Sequence, residues 1–136
     1  MITKGIKELC AEAEKEIETM SVEQVTAAVD DANVTLVDIR DIRELWRDGT
    51  IPGAIHAPRG MLEFWVDPQS PYYREEFGSG KKYIFYCAGG MRSALAAQAV
   101  QRMGLSPVAH MAGGYKAWTE AGGKTEAKEV RLPKPK

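Results

Sequence analysis

Residues 81–104, KKYIFYCAGGMRSALAAQAVQRMG, limit what this chain can fold into more than any other stretch, because strand, tight loop and helix follow with no residue to spare. Tyr83, Ile84, Phe85 and Tyr86 form an unbroken apolar and aromatic run, the pattern of a strand buried on both faces in a parallel sheet. Cys87 stands at its carboxyl end. From Ser93 onward, Ala94, Leu95, Ala97, Ala99, Val100 and Met103 are good helix formers on a helical period, and Gly104 closes them at the C′ position. The helix is expected to start at Arg92 or Ser93. Ala88, Gly89, Gly90 and Met91 are too few for anything but a loop that curls around the sulfur.

That loop has a chemical reading. Glycine permits positive φ and leaves no Cβ in the way, so successive N–H groups can converge on one concavity that suits an anion. The start of the helix adds unpaired donors and the positive end of its dipole. Such surroundings favour a thiolate over a thiol. Arg92 offers a planar, permanently charged fork to a second anion. A buried, inert thiol would explain Cys87 alone, but not the adjoining Gly89, Gly90 and Arg92.

CAGGMRS resembles the active-site loop C-x-x-G-x-R-S of rhodanese-like (sulfurtransferase) domains. Residues 36–58, LVDIRDIRELWRDGTIPGAIHAP, resemble that family's strand ending D-x-R, acidic helix and G-H-I-P-G-A, with Thr50 in place of the histidine. Residues 113–122, GGYKAWTEAG, resemble its closing G-G-x-x-x-W…G. The resemblance spans about residues 20–124. It implies an α/β fold with a central, mostly parallel sheet covered by helices on both faces, and here an extra N-terminal helix. It also implies two-step sulfur transfer through a Cys87 persulfide, from a donor such as thiosulfate to a thiol or cyanide acceptor. The main chain from Ala88, Gly89, Gly90 and Met91 to Ser93 would hold the sulfur's charge, Arg92 would orient the donor, and Asp38 and Arg40 would brace the region. An ordinary strand-end ion pair is an equal reading of the last two. No metal or organic cofactor is required. A persulfide relay or binding module serving a sulfur-relay protein would use the same residues and stays open as the alternative.

The 136 residues make one domain's worth of core, and a net charge of −1 gives no reason to expect nucleic acid or an anionic membrane as partner. The two distant cysteines form neither a disulfide framework nor a zinc pattern, and a lone reactive thiol suits a reducing compartment. The N-terminus is too charged for a signal peptide, and no apolar run reaches membrane-spanning length. The expectation is a cytoplasmic protein.

Along the chain, residues 1–20 read as an amphipathic helix with Ile6, Leu9, Cys10, Ala13, Ile17 and Met20 on one stripe. Cys10 lies on that apolar face and is expected to be buried and inert. Residues 21–124 read as the domain proper. Ser21 with Gln24, and Asp41 with Glu44, fit helix-capping boxes. Residues 34–39, 54–57 and 108–111 read as further strands, and His56 and His110 within them as core histidines. Residues 59–80 suggest a short helix near 61–66, then an irregular connection whose aromatics form a small satellite core. Residues 125–136, charged and proline-bearing, are expected to be a flexible tail.

Overall fold

The computed structural model describes residues 1–131. Five short strands run as β1 (Glu18–Met20), β2 (Val34–Asp38), β3 (Ile55–His56), β4 (Lys82–Tyr86) and β5 (Val108–Met111). They form a single wholly parallel sheet in the order β1-β5-β4-β2-β3. The helices are α1 (Ile6–Glu16), α2 (Val22–Ala28), α3 (Ile42–Asp48), α4 (Leu62–Val66), α5 (Met91–Arg102) and α6 (Gly114–Glu120). Parallel strands need crossovers, and alternating helices supply them on both faces of the sheet.

Alternation along the strands divides the core into two layers. On one face, Val37, Phe85 and Val108 pack against Ala13 of α1, Leu62 and Val66 of α4, and Ala94, Ala97 and Val100 of α5. On the other, Leu36, Ile84, Ala109 and Met111 pack against Val25 of α2 and Tyr115 and Trp118 of α6. The central strand β4 contributes to both layers, which is why its sequence is a continuous apolar run. Both capping boxes are present: Ser21 with Gln24 opens α2, and Asp41 with Glu44 opens α3.

The structure departs from the sequence reading in three places. The N-terminal helix ends at Glu16, and residues 18–20 form β1, an edge strand beside β5. Ile17 and Thr19 are β-branched, and the carbonyl of Met20 accepts the Ala112 N–H at 2.8 Å, so pairing with β5 outweighs another helical turn. In the 59–80 connection, Leu62, Val66 and Phe77 join the main core with Tyr83 and Phe85 instead of forming a satellite. Phe77 sits 5.4 Å from Tyr83, ring to ring, so two single-turn 3₁₀ segments and α4 close that edge of the core. The expected flexible tail falls partly on residues 132–136, which lie outside the described residues. Within the described part, Glu126 pairs antiparallel with Thr50, each donating its N–H to the other's carbonyl at 2.9 Å.

The carboxyl end of β2 carries a buried ionic network. Arg40 donates from Nε and Nη2 to the two Asp38 carboxylate oxygens at 3.0 and 2.8 Å, with both side chains at 1% exposure or less. Arg40 also donates to the Gly49 carbonyl at 2.7 Å and lies 4.1 Å over the Tyr115 ring. The Thr50 hydroxyl donates to Asp38 at 3.0 Å and meets the Tyr86 hydroxyl at 2.9 Å. Thr50, standing where the resembled motif has histidine, therefore keeps a polar link to Asp38. Burial first, and then the Asp38 charge, push the Tyr86 phenol far above its ordinary value and keep it protonated.

Removing one member of a buried pair strands the other charge, so Asp38→Ala is expected to lower the unfolding free energy by about 3–5 kcal/mol in chemical denaturation. Thr50→Val removes the hydroxyl's two hydrogen bonds, to Asp38 and to Tyr86, without stranding a charge and should cost about 1–2 kcal/mol. An Asp38→Ala loss no larger than that of Thr50→Val would show that Arg40 does not depend on its carboxylate.

Candidate active site

Cys87 follows the last residue of β4, and α5 begins at Met91, so the intervening loop lies at the carboxyl edge of the sheet, where open α/β sheets bind ligands. The Cys87 side chain is 1% exposed. Its sulfur accepts the Gly90 N–H at 3.1 Å and lies 3.7 Å from Ser93 Oγ. Gly90 is the N-cap of α5 with φ +103, a value that leaves its N–H aimed back at the sulfur and that side-chain-bearing residues rarely adopt. The helix starts one residue before the expected Arg92.

The loop is held from below by the start of α6. Tyr115 and Lys116 donate their N–H groups to the carbonyls of Cys87 and Ala88 at 2.8 and 3.0 Å. With those carbonyls tied down, the opposite side of the loop faces the sulfur. A Cβ on Gly114, whose φ is +61, would stand 2.5 Å from the Cys87 carbonyl oxygen and 2.7 Å from that of Ala88. The paired glycines before Tyr115 thus let α6 approach the loop closely enough to hold it.

Above the loop, a cleft of about 510 Å³ is lined by Ile6, Cys87, Gly89, Met91, Arg92 and Leu95. Its walls are largely apolar. Ile6 comes from α1, which packs along α5, and Glu16 at the end of that helix pairs with Arg102 at 2.8 Å. Arg92 is bound in a fork to Glu44 of α3, Nη1 to Oε2 at 2.8 Å and Nη2 to Oε1 at 3.0 Å. Arg92 holds the Glu44 carboxyl below the ordinary carboxylate range. Glu44 also accepts the Asp41 N–H at 3.0 Å, so one side chain caps α3 and fixes the arginine.

Of the residues singled out from sequence, Cys87, Ala88, Gly89, Gly90, Met91, Arg92 and Ser93 share this loop and helix start. Asp38 and Arg40 stand one strand away, linked to the loop through Tyr115, whose ring faces Arg40 and whose N–H holds the Cys87 carbonyl. His56 donates from Nε2 to the Arg40 carbonyl at 2.7 Å, a positioning bond for that turn. His110 does more than fill the core: its Nδ1 is 3.0 Å from Ser93 Oγ. It pairs in register with Phe85, two residues before Cys87, so strand alternation puts it on the sulfur's face. That signal becomes readable only once β5 is known to lie beside β4. Cys10 is buried as expected, with its thiol 3.6 Å from the Met91 carbonyl. Burial, followed by the nearby Glu14 and Cys87, pushes the Cys10 thiol above its ordinary value. No helix among the described residues is long and apolar enough to cross a membrane.

Comparison with known proteins agrees with this geometry. A Bacillus subtilis protein named "Putative sulfurtransferase YtwF" is 31% identical over 76% of this chain and 89% of its own length. The mouse "Thiosulfate sulfurtransferase/rhodanese-like domain-containing protein 3" is 26% identical over 70% of this chain, which spans 64% of that protein's length. A solved structure from Rhodopseudomonas palustris, of a protein of unknown function named as a possible tyrosine phosphatase, superposes with a TM-score of 0.90. It is 54% identical, over 93% of this chain and 97% of its own. The model of the family described as "Rhodanese-like domain" matches residues 21–121, from the start of α2 through α6, and the chain belongs to that family.

Proposed function

We propose that this protein is a sulfurtransferase that carries a sulfane sulfur on Cys87, with thiosulfate as a usable donor and a thiol or cyanide as acceptor. The observation that carries the reading is the buried Cys87 sulfur facing the Gly90 N–H at 3.1 Å, at the start of a helix whose next turn brings Arg92 and Ser93. The sulfurtransferase names of relatives support it.

In the first step the Cys87 thiolate attacks the outer sulfur of thiosulfate. The S–S bond of the donor breaks, its electron pair leaves on sulfite, and Cys87 becomes a persulfide. In the second step the acceptor attacks the outer sulfur, and the electron pair of the new S–S bond returns to Cys87 as thiolate. Loop N–H groups stabilise the terminal sulfur's charge without titrating. Arg92, which lines the cleft, spends two of its five N–H donors on Glu44, and the other three are left for the anionic end of a donor. Two free cysteines and a persulfide intermediate fit a reducing compartment such as the cytoplasm.

The phosphatase name of the Rhodopseudomonas palustris relative raises a second reading, since phosphatases with a cysteine and arginine loop use the same devices. Loop size argues against it. Four residues, Ala88, Gly89, Gly90 and Met91, separate Cys87 from Arg92, and the related phosphatases have one more. The smaller ring suits a single sulfur atom and is tight for a tetrahedral phosphoryl group.

Incubation with thiosulfate followed by intact-protein and peptide mass measurement is expected to show one added sulfur on Cys87, and none in Cys87→Ser. Wild-type protein that stays unmodified would sink the thiosulfate reading and favour a relay loaded by a protein partner. Arg92→Lys keeps the charge but loses both the two-point hold of Glu44 and the donors left for the anion, so kcat/KM for thiosulfate should fall roughly tenfold or more, and further in Arg92→Ala. Wild-type kinetics in Arg92→Ala would remove the arginine from the mechanism. Aryl phosphates should not be hydrolysed appreciably. Cys87-dependent phosphatase turnover exceeding sulfur transfer would overturn the assignment.

A further inference from the structure

Behind Cys87, on the side away from the cleft, a line of polar side chains crosses an apolar layer. Cys87 Sγ lies 3.7 Å from Ser93 Oγ, Ser93 Oγ lies 3.0 Å from His110 Nδ1, and His110 Nε2 lies 3.4 Å from Glu14 Oε2. Cys87, Ser93 and His110 are each at 1% exposure or less, whereas the Glu14 side chain is 45% exposed. The line therefore runs from the reactive sulfur to solvent. His110 Nε2 is buried and, among the described residues, has no hydrogen-bond partner; the Glu14 carboxylate stands beside it without hydrogen-bond alignment. A buried ring nitrogen in that state carries a desolvation penalty, and such groups call for an explanation.

We propose that Ser93, His110 and Glu14 form a proton relay to Cys87, in which α1, outside the matched residues 21–121, supplies the terminal carboxylate. The inference rests on Cys87 being the nucleophile of the reading above. In the proposed resting arrangement His110 carries its proton on Nε2, on the side of Glu14. The Ser93 hydroxyl accepts from the Cys87 thiol and donates to His110 Nδ1 at 3.0 Å in preference to the Gly90 carbonyl at 3.3 Å. As the sulfur attacks, the S–H bond breaks and that proton moves to Ser93 Oγ, whose own proton moves to Nδ1. The products are a thiolate and an imidazolium, with total charge unchanged. Ser93 now donates to the sulfur and Nδ1–H to Ser93, while the charged ring faces the Glu14 carboxylate 3.4 Å from Nε2.

The environment of the imidazole fits this division. Burial pushes His110 below its ordinary value, and the Glu14 carboxylate opposes that push. Glu14 thus compensates part of the cost of placing a positive charge in the core, as the carboxylate does behind histidine in hydrolase triads. The other titratable or charged groups around the line are Cys10 of α1 and Arg92 of α5, the latter paired with Glu44 of α3. Among the described residues, Glu14 is the carboxylate that faces the ring. Glu14, His110 and Ser93 are positioning and proton-moving residues, and the groups that touch substrate are Cys87, the loop and Arg92.

Glu14→Gln tests the relay in the full chain, because the side chain is half exposed and its amide keeps the shape. Two readouts follow the Cys87 thiolate directly at neutral pH: its ultraviolet absorbance, taken as a difference against Cys87→Ser, and the rate of iodoacetamide alkylation, assigned to Cys87 by peptide mass. An exposed carboxylate acting on one imidazolium should change both about threefold, downward, in Glu14→Gln. In a His110→Asn background the same substitution should have no further effect, and Glu14→Asp should restore part of the wild-type rate. Wild-type absorbance and alkylation in Glu14→Gln would overturn the relay, as would an equal loss with and without His110. Should His110→Asn fail to fold, the Glu14 variants alone decide the matter. Because neither readout uses a sulfur donor, the expected shifts without sulfur loading would uphold the relay and defeat thiosulfate transfer. Sulfur loading with unshifted readouts would do the reverse.

Discussion

The two hydrogen bonds from the first turn of α6 to the Cys87 and Ala88 carbonyls are the constraint on which the site depends. They fix the loop from the side opposite the sulfur, so the Gly90 N–H must point inward. Gly114 is required for them, because any side chain there would occupy the carbonyl positions. Tyr115 extends the constraint to the neighbouring strand, since its ring covers Arg40 and its hydroxyl donates to the Asp48 carbonyl at 2.8 Å. The buried Asp38–Arg40 pair therefore acts on the loop through an aromatic ring and a helix, not by contact with the sulfur. A buried pair is weak evidence for net stability, but an arginine held by two carboxylate oxygens and a carbonyl gives that ring a fixed floor.

Much of this arrangement was legible in the sequence. The strand–loop–helix around Cys87 was readable because its elements follow local rules: an apolar run for a strand buried on both faces, two glycines for the curl, and alanine-rich helix with a glycine stop. The capping boxes at Ser21 and Asp41 were readable for the same reason. What was not legible depends on partners distant in sequence. Residues 18–20 have no strong local preference, and only β5 makes them a strand. Phe77 joins the main core because Tyr83 is there to receive it. Glu44 looks like an ordinary cap until α5 brings Arg92 to it, and His110 looks like a core residue until β5 takes its place beside β4.

The role of α1 follows from the same distinction. Its stripe of Ile6, Cys10, Ala13 and Ile17 predicts that it packs on something, and the structure sets that stripe on α5, over the start of the helix that carries the loop. The helix then does three things at once. Ile6 walls the cleft, Cys10 meets the carbonyl of Met91, and Glu14 faces the buried His110. All three positions lie before residue 21, where the family match begins. The matched residues provide the loop and its main-chain donors, whereas the cleft wall and the carboxylate come from the added helix.

Burial of Cys87 bears on which chemistry the cleft can host. At 1% exposure the sulfur sits at the floor, behind walls supplied by Ile6, Met91 and Leu95. In the persulfide proposed above, one S–S bond of about 2 Å would carry the reactive atom outward from the floor toward the cleft. In the sulfur transfer proposed above, the buried Cys87 sulfur attacks the donor's outer sulfur, whereas the acceptor attacks the outer sulfur projecting into the cleft. On that proposal, apolar walls would weaken the hydration of the terminal sulfur, and the start of α5, whose Gly90 N–H already meets Cys87 Sγ, would offer fixed dipoles in its place. The depth of the cysteine and the four-residue loop thus support the same part of the proposed function, a single sulfur atom as cargo.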